Sequence, residues 1–325
     1  MGLSINLWGI RGSLPTPATP DQIHHKIVEA LRLFDAKRSE IKDIEGFVRG
    51  LSPDIGSGFG GHTACIEVSS PKARLIIDGG SGLRCLGEKL MLESSGAGQG
   101  VIHILMTHFH WDHLIGLPFF IPIFVPGNQI HFYGVQDDLE ANIRRVFAKP
   151  NFPVEFDRLP AKVFFHKLKP RETVEFQDIK VTPYQLDHPD PCWGYKFEHS
   201  GKTFSYCVDS EARRVTREAL GPDLPLYQKI DLMIFDAQYT FLESAERINW
   251  GHASGPIGID IAMREEVKKI LFIHHDPAAS DAKILEAESQ TREYYESALA
   301  AARAHGAKPH EVDWQFAREG MKLHL

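Results

Sequence analysis

The stretch Thr107-His108-Phe109-His110-Trp111-Asp112-His113 constrains what this chain can become more than any other. Just upstream, Val101-Ile102-His103-Ile104-Leu105-Met106 is a short, mostly apolar run that reads as a buried strand. Four candidate ligands therefore sit on the loop that leaves a strand, with Leu114-Ile115-Gly116-Leu117 starting a short helix behind them. Alternate side chains of an extended segment share a face, so His108 and His110 point the same way. Asp112 and His113 follow the turn and address a second point. Three imidazoles and a carboxylate in this spacing suit borderline-soft divalent ions such as Zn²⁺ or Mn²⁺. A chance cluster of histidines on a polar loop is the weaker reading, because this spacing directly after a strand is uncommon.

The segment THFHWDH resembles the HxHxDH signature of the metallo-β-lactamase-fold hydrolases, and matching segments recur from Trp8 to Pro277. Within that superfamily the chain is most similar to the phosphodiesterase branch, which includes ribonuclease Z and the cyclic-phosphate phosphodiesterases. The resemblance implies an α/β fold, a four-layer αββα sandwich of two facing mixed sheets with helices outside.

With 325 residues, 43 % hydrophobic and 24 % charged, the chain has an ordinary globular composition. No linker rich in Gly, Ser or Pro interrupts it, so residues 1–325 are expected to form one domain. Ile23, Ile27, Leu31 and Phe34, then Ile41, Ile44 and Val48, recur at helical spacing and predict a helical insertion at about 21–52. Their apolar stripe is expected to pack on the body or on a sister subunit. No apolar run reaches the roughly 20 residues needed to span a bilayer, and the N-terminus has no basic or long apolar region. Cys65, Cys85, Cys192 and Cys207 show no CxxC spacing and read as buried thiols of a cytoplasmic protein. A net charge of −7 argues against a stable nucleic-acid complex, which needs clustered Lys and Arg.

Along the chain, Gly9 to Pro17 forms an irregular loop after a first strand, with Arg11 either meeting a phosphate or tying the loop down. His62 stands where relatives commonly carry Asn, and reads as a hydrogen-bonded or surface histidine rather than a substrate contact. The run Arg74 to Ile77 leads into Asp78, which matches the family's first motif and is expected to orient a metal-bound histidine. Asn151-Phe152-Pro153 lies in a long loop that could form a lid or simply pack. A helix is expected over 213–220, and Trp314 to Leu325 reads as a last hairpin or strand.

By resemblance, His188 before Pro189 matches the third metal motif and Asp209 the carboxylate that bridges two ions. Carried over in full, His108, His110 and His188 hold one ion, and Asp112, His113 and His274 the other. His274 is favoured over His275 by its place relative to the preceding strand. Asp236, at the exit of another strand, and His252, in Gly251-His252-Ala253-Ser254, match elements of the same branch and form an acid pair. The catalytic set is then Asp112, His252 and Asp236, with two Zn²⁺ or Mn²⁺ per chain and a metal-activated hydroxide attacking a phosphodiester.

Competing classes separate on single residues. The main zinc β-lactamases carry a cysteine where this chain has Asp209, and flavodiiron proteins replace a first-motif histidine by glutamate. Glyoxalase-type thiolesterases share the ligand set but have no use for Asp236 and His252. A small phosphodiester such as a cyclic nucleotide is the expected substrate, with ribonuclease Z-type RNA processing, thiolester hydrolysis and a non-catalytic nucleotide sensor as alternatives. No membrane partner is expected, and a homo-oligomer is left open.

Overall fold

A computed structural model describes residues 2–212 and 216–325. The first half supplies the strands β1 (Ser4–Gly9), β2 (Cys65–Ser69), β3 (Arg74–Ile77), β4 (Val101–Leu105), β5 (Gln129–Gly134) and β6 (Lys162–Lys167). The second supplies β7 (Val174–Phe176), β8 (Ile179–Gln185), β9 (Trp193–His199), β10 (Lys202–Cys207), β11 (Leu232–Asp236), β12 (Lys269–Ile273), β13 (Asp313–Phe316) and β14 (Lys322–His324). They form two seven-stranded sheets, ordered β14-β1-β2-β3-β4-β5-β6 and β13-β12-β11-β10-β9-β8-β7. Both are mixed: β1 to β3 pair antiparallel and β3 to β6 parallel, while β7 to β10 pair antiparallel and β10 to β13 parallel.

Alternation along the strands decides the layers. In β3, Leu75 and Ile77 join the core between the sheets, whereas Ile76 belongs to a second core with Leu83, Leu86 and Ile143 from the helices Gly82–Leu90 and Leu139–Val146. Ile259, Ala262 and Ile284, from the helices Gly255–Arg264 and Asp281–Ala304, cover the second sheet. The result is the expected αββα layering.

Several expectations change. The last two strands are not a hairpin: β13 adds in parallel to β12, and β14 closes the other sheet beside β1. The helix Pro20–Ala36 has its capping box (Thr19 and Gln22) and Pro20 in the first turn, but buries no residue fully. Ile23, Ile27 and Leu31 stay exposed, so their stripe does not pack on the body; Lys26 ties the helix down through Asp281 at 2.5 Å. Phe152 packs among Phe119, Phe124 and Phe147. Cys65, Cys192 and Cys207 are buried, but Cys85 is partly exposed. The helix expected over 213–220 is present at Arg217–Leu220, while residues 213–215 lie outside the described residues. Among the described residues, no helix is long and apolar enough to cross a membrane.

Candidate metal centre

Parallel strands end together, so the loops after β3, β4, β10, β11 and β12 gather at one end of the two sheets. The backbone there is unusual: Asp78, Asp209 and His274, each just past a strand, have φ of 62°, 62° and 66°. Non-glycine residues seldom adopt this left-handed region, at a cost of about 1–3 kcal/mol each. It turns each side chain back across the strand ends instead of letting it run on with the strand.

Three groups of donor atoms result, each with its members within 4.8 Å of one another: His108, His110 and His188; Asp112, His113, Asp209 and His274; and Asp209, Asp236, His252 and His274. His108 and His113 have ring centroids 4.3 Å apart, so the first two groups adjoin. Asp209 stands in the second and third groups, its Oδ2 3.0 Å from His113 Nε2 and its Oδ1 3.4 Å from His274 Nε2.

The outer nitrogens of His108, His110, His113 and His188 are engaged. Asp78 Oδ2 lies 2.8 Å from His113 Nδ1, and the Thr107 amide donates to Asp78 Oδ1 at 2.8 Å. Thr107 Oγ1 is 3.1 Å from His108 Nδ1. His188 Nδ1 lies against the Asp190 backbone, and His110 Nε2 is 2.8 Å from Asp190 Oδ2. The inward atoms His108 Nε2 and His188 Nε2 are buried without a hydrogen-bond partner, and His113 Nε2 and Asp209 Oδ2 have only their ion-pair contacts. Buried polar atoms are seldom left so. Rings held from behind with free nitrogens facing a common point are what a divalent ion requires, so the residues fit two such ions.

Electrostatics agree with that reading of the donor set. Burial opposes charge on His113, yet Asp112, Asp209 and Asp78 hold its pKa well above the usual imidazole value. Burial likewise opposes the Asp209 carboxylate, but His274, His113 and His108 keep its pKa well below the carboxylate range. Burial holds His108 well below and His188 below the usual imidazole value. His275 is different. Burial lowers its pKa to about 3, and its Nε2 faces Ala317 O at 3.0 Å, away from the cluster.

Asp236 is a hub. Its Oδ1 accepts from the amides of Gln238 and Ala253, and its Oδ2 from the Asp209 amide. Its Oδ2 is also 3.0 Å from His252 Nδ1, and the His252 ring stacks on His274 at 4.9 Å. Gly251 is forced by its surroundings: with φ +86° and no room for a methyl group against His188 Cδ2, only glycine fits. Arg11 ties loops together, donating to Gly60 O, Asp276 O and Ala279 O, so it does not meet a phosphate. His62 is hydrogen-bonded to Ser81 Oγ at 3.1 Å. Ser13, whose amide donates to Asp112 Oδ2 at 2.7 Å, and Gln238 were not singled out in sequence. Ser13 meets Asp112 99 residues away and Gln238 meets Ser13 225 residues away, and no local pattern marks these pairings.

A family model described as Beta-lactamase superfamily domain matches residues 73–275. The chain belongs to the beta-lactamase superfamily. A ribonuclease Z of Pyrococcus abyssi is 26 % identical over 158 residues, covering 47 % of this chain and 50 % of that protein. The chain spans about half the length of the first curated relatives it matches. Among solved structures, the metallo-beta-lactamase fold protein YhfI from Bacillus subtilis superposes with a TM-score of 0.62 at 13 % identity, covering all of both chains. A diphosphatase from the PhnP family gives 0.61 at 17 % identity, covering 99 % of this chain and 98 % of that one. Such likenesses show a shared fold, the metallo-β-lactamase sandwich inferred from the sequence.

Proposed function

We propose that this protein is a dinuclear metal-dependent phosphodiesterase acting on small phosphodiesters such as cyclic nucleotides. The observation that carries the reading is the pair of adjoining donor groups, the second fully buried, with the inward His108 and His188 nitrogens unpartnered, set beside the Asp236–His252 pair. His108, His110 and His188 would hold one ion, Asp112, His113 and His274 the other, and Asp209 would serve both. Two divalent ions, zinc or manganese, would supply a water of lowered pKa and neutralise charge on the phosphoryl oxygens.

The chain's own groups then have distinct tasks. Asp78 orients His113 from behind, and Thr107 steadies Asp78. Asp236 fixes the His252 ring through Nδ1, so that Nε2 can carry a proton to the departing oxygen. A ribose or alkyl oxygen leaves poorly without that proton, and general-acid help is typically worth about 10²–10⁴ in rate. A thiolate leaves without one, which sets thiolester hydrolysis apart. A non-catalytic sensor would have no use for such an acid.

Relatives named ribonuclease Z favour a second reading, RNA processing, and the −7 net charge weighs against it. The deciding experiment is hydrolysis by metal-loaded protein of cyclic nucleotides, an aryl phosphodiester, a thiolester and a precursor tRNA, with elemental analysis alongside. Turnover of the diesters with about two ions per chain is expected. Cleavage of the precursor tRNA alone would replace the small-substrate reading, and turnover of the thiolester alone would remove both.

A further inference from the structure

Two buried atoms of the site have complementary needs and border the same gap. His274 Nδ1 is buried without a hydrogen-bond partner, and so is Gln238 Oε1. The first is a potential donor and the second an acceptor. Both border the Cα of Gly12: a methyl group there would run into Gln238 Oε1 and stand 2.5 Å from His274 Nδ1. Gly12 is fixed in that place, its amide donating to His275 O at 3.0 Å, while the His274 amide donates to Ile10 O at 2.8 Å. Gln238 is 8 % exposed, and its amide nitrogen already faces Ser13 Oγ at 3.4 Å and Tyr239 Oη at 3.3 Å. Its oxygen is thereby turned to the Gly12 side.

We propose that Gln238 is a positioning residue for the second ion. With the ion bound, its amide oxygen accepts the Nδ1–H of His274 across the gap that Gly12 leaves open, a bond not made in this structure, so that Nε2 stays turned toward Asp112 and Asp209. His274 Nε2 is 3.1 Å from Asp112 Oδ2, and Ser13 N–H fixes that same oxygen. One short loop, Gly12-Ser13, therefore sets both a ring and a carboxylate of the second donor group. The other acceptor within reach of His274 Nδ1 is Asp236 Oδ2, at 3.5 Å. That oxygen already serves His252 and the Asp209 amide. A neutral amide on His274 leaves the Asp236 charge for His252, the ring that must become cationic. Ligand and acid thus have separate partners.

The inference rests on His274 being a metal ligand, and the test separates the two. Wild type, Gln238→Met, Gln238→Asn and Gln238→Glu are stripped of metal and titrated with cobalt(II), followed by visible absorption. Zinc affinities come from competition with a chromophoric chelator, and melting of each apoprotein reports the fold. Met keeps the length and removes the acceptor; Asn keeps the amide and is too short; Glu keeps an acceptor at the right length. Wild type is expected to take two ions. Met and Asn should weaken one of them about 10–100-fold, leave the other unchanged and alter one cobalt band, with Glu restoring most of the loss. Should Gln238→Met not fold, the Asn and Glu pair decides alone. Wild-type affinity and spectrum in the foldable variants, or equal weakening of both ions, would overturn the role of Gln238 while leaving His274 a ligand. Fewer than two ions in wild type would overturn the ligand reading, and this proposal with it.

Discussion

In the proposed mechanism His252 and Asp236 share one proton-handling task, and the leaving group would show which of them is indispensable. With Nδ1 3.0 Å from Asp236 Oδ2, the ring is held in one orientation and one tautomer. His252→Ala is expected to slow alkyl or ribose diesters by about 10²–10⁴ while sparing a bis-nitrophenyl ester, whose phenolate leaves without a proton. Asp236→Asn should follow the same pattern more weakly. Rates on both substrates, with metal content measured in parallel, check this; an equal loss on the two would make His252 structural. Asp78→Ala acts one bond further out, on His113, and should cost about 10- to 100-fold in metal affinity or activity. Gly251→Ala tests the other donor group. A methyl group there collides with His188, so the first ion should weaken and the second should not, as chelator competition would resolve.

At the scale of elements, the helix Phe241–Glu246 beside the site was not anticipated, although its signal is present. Thr240 and Glu243 form a capping box with both reciprocal bonds made, and Lys283 Nζ reaches Glu243 Oε1 at 2.5 Å. Burial opposes the Glu243 charge, but Lys283 and Thr240 lower its pKa to about 2. A carboxyl depressed in the folded state stabilises it fully above its unfolded pKa of about 4.3, and the contribution fades as pH falls through the folded value. Hydrogen-exchange protection over 241–247 should therefore hold at pH 5 and weaken between about pH 4 and 2. In Glu243→Gln it should be weaker already at pH 7 and flat across that window. What is legible elsewhere follows local pattern: the run Arg74 to Ile77 matches β3 to the residue, because an apolar run bounded by charge and turn residues marks it. β9, Trp193–His199, was passed over although Tyr195 to His199 alternate between buried and half-buried positions, the pattern of a strand with one face to the core. The separate fates of β13 and β14 depend on pairing with β12 and β1, which no local signal encodes. Ser13 and Gln238 were invisible for the same reason, whereas the motif histidines announce themselves by spacing.

Over the whole molecule, the donor groups lie where the two sheets meet. Asp78 and His108 to His113 follow strands of the first sheet, and His188, Asp209 and His274 follow strands of the second. Direct polar ties also cross there, from the Trp193 amide to Thr107 O at 3.1 Å and from Tyr195 Oη to Met106 O at 2.6 Å. Because each proposed ion would draw ligands from both sheets, metal should stabilise the sheets against each other and not only complete a site. Binding to the folded state alone adds about 2.7 kcal/mol when free ligand is 100-fold above Kd. With an unfolding entropy near 2 cal/mol/K per residue, that corresponds to about 4 °C in Tm for each ion. Calorimetry with zinc, manganese or a chelator should show melting rise in two increments with metal and fall with chelator. Asp209→Ala removes a ligand the two sites would share, so its melting should respond little to added metal. A wild-type Tm indifferent to both metal and chelator would mean that the orphaned nitrogens between the sheets are satisfied by something other than an ion.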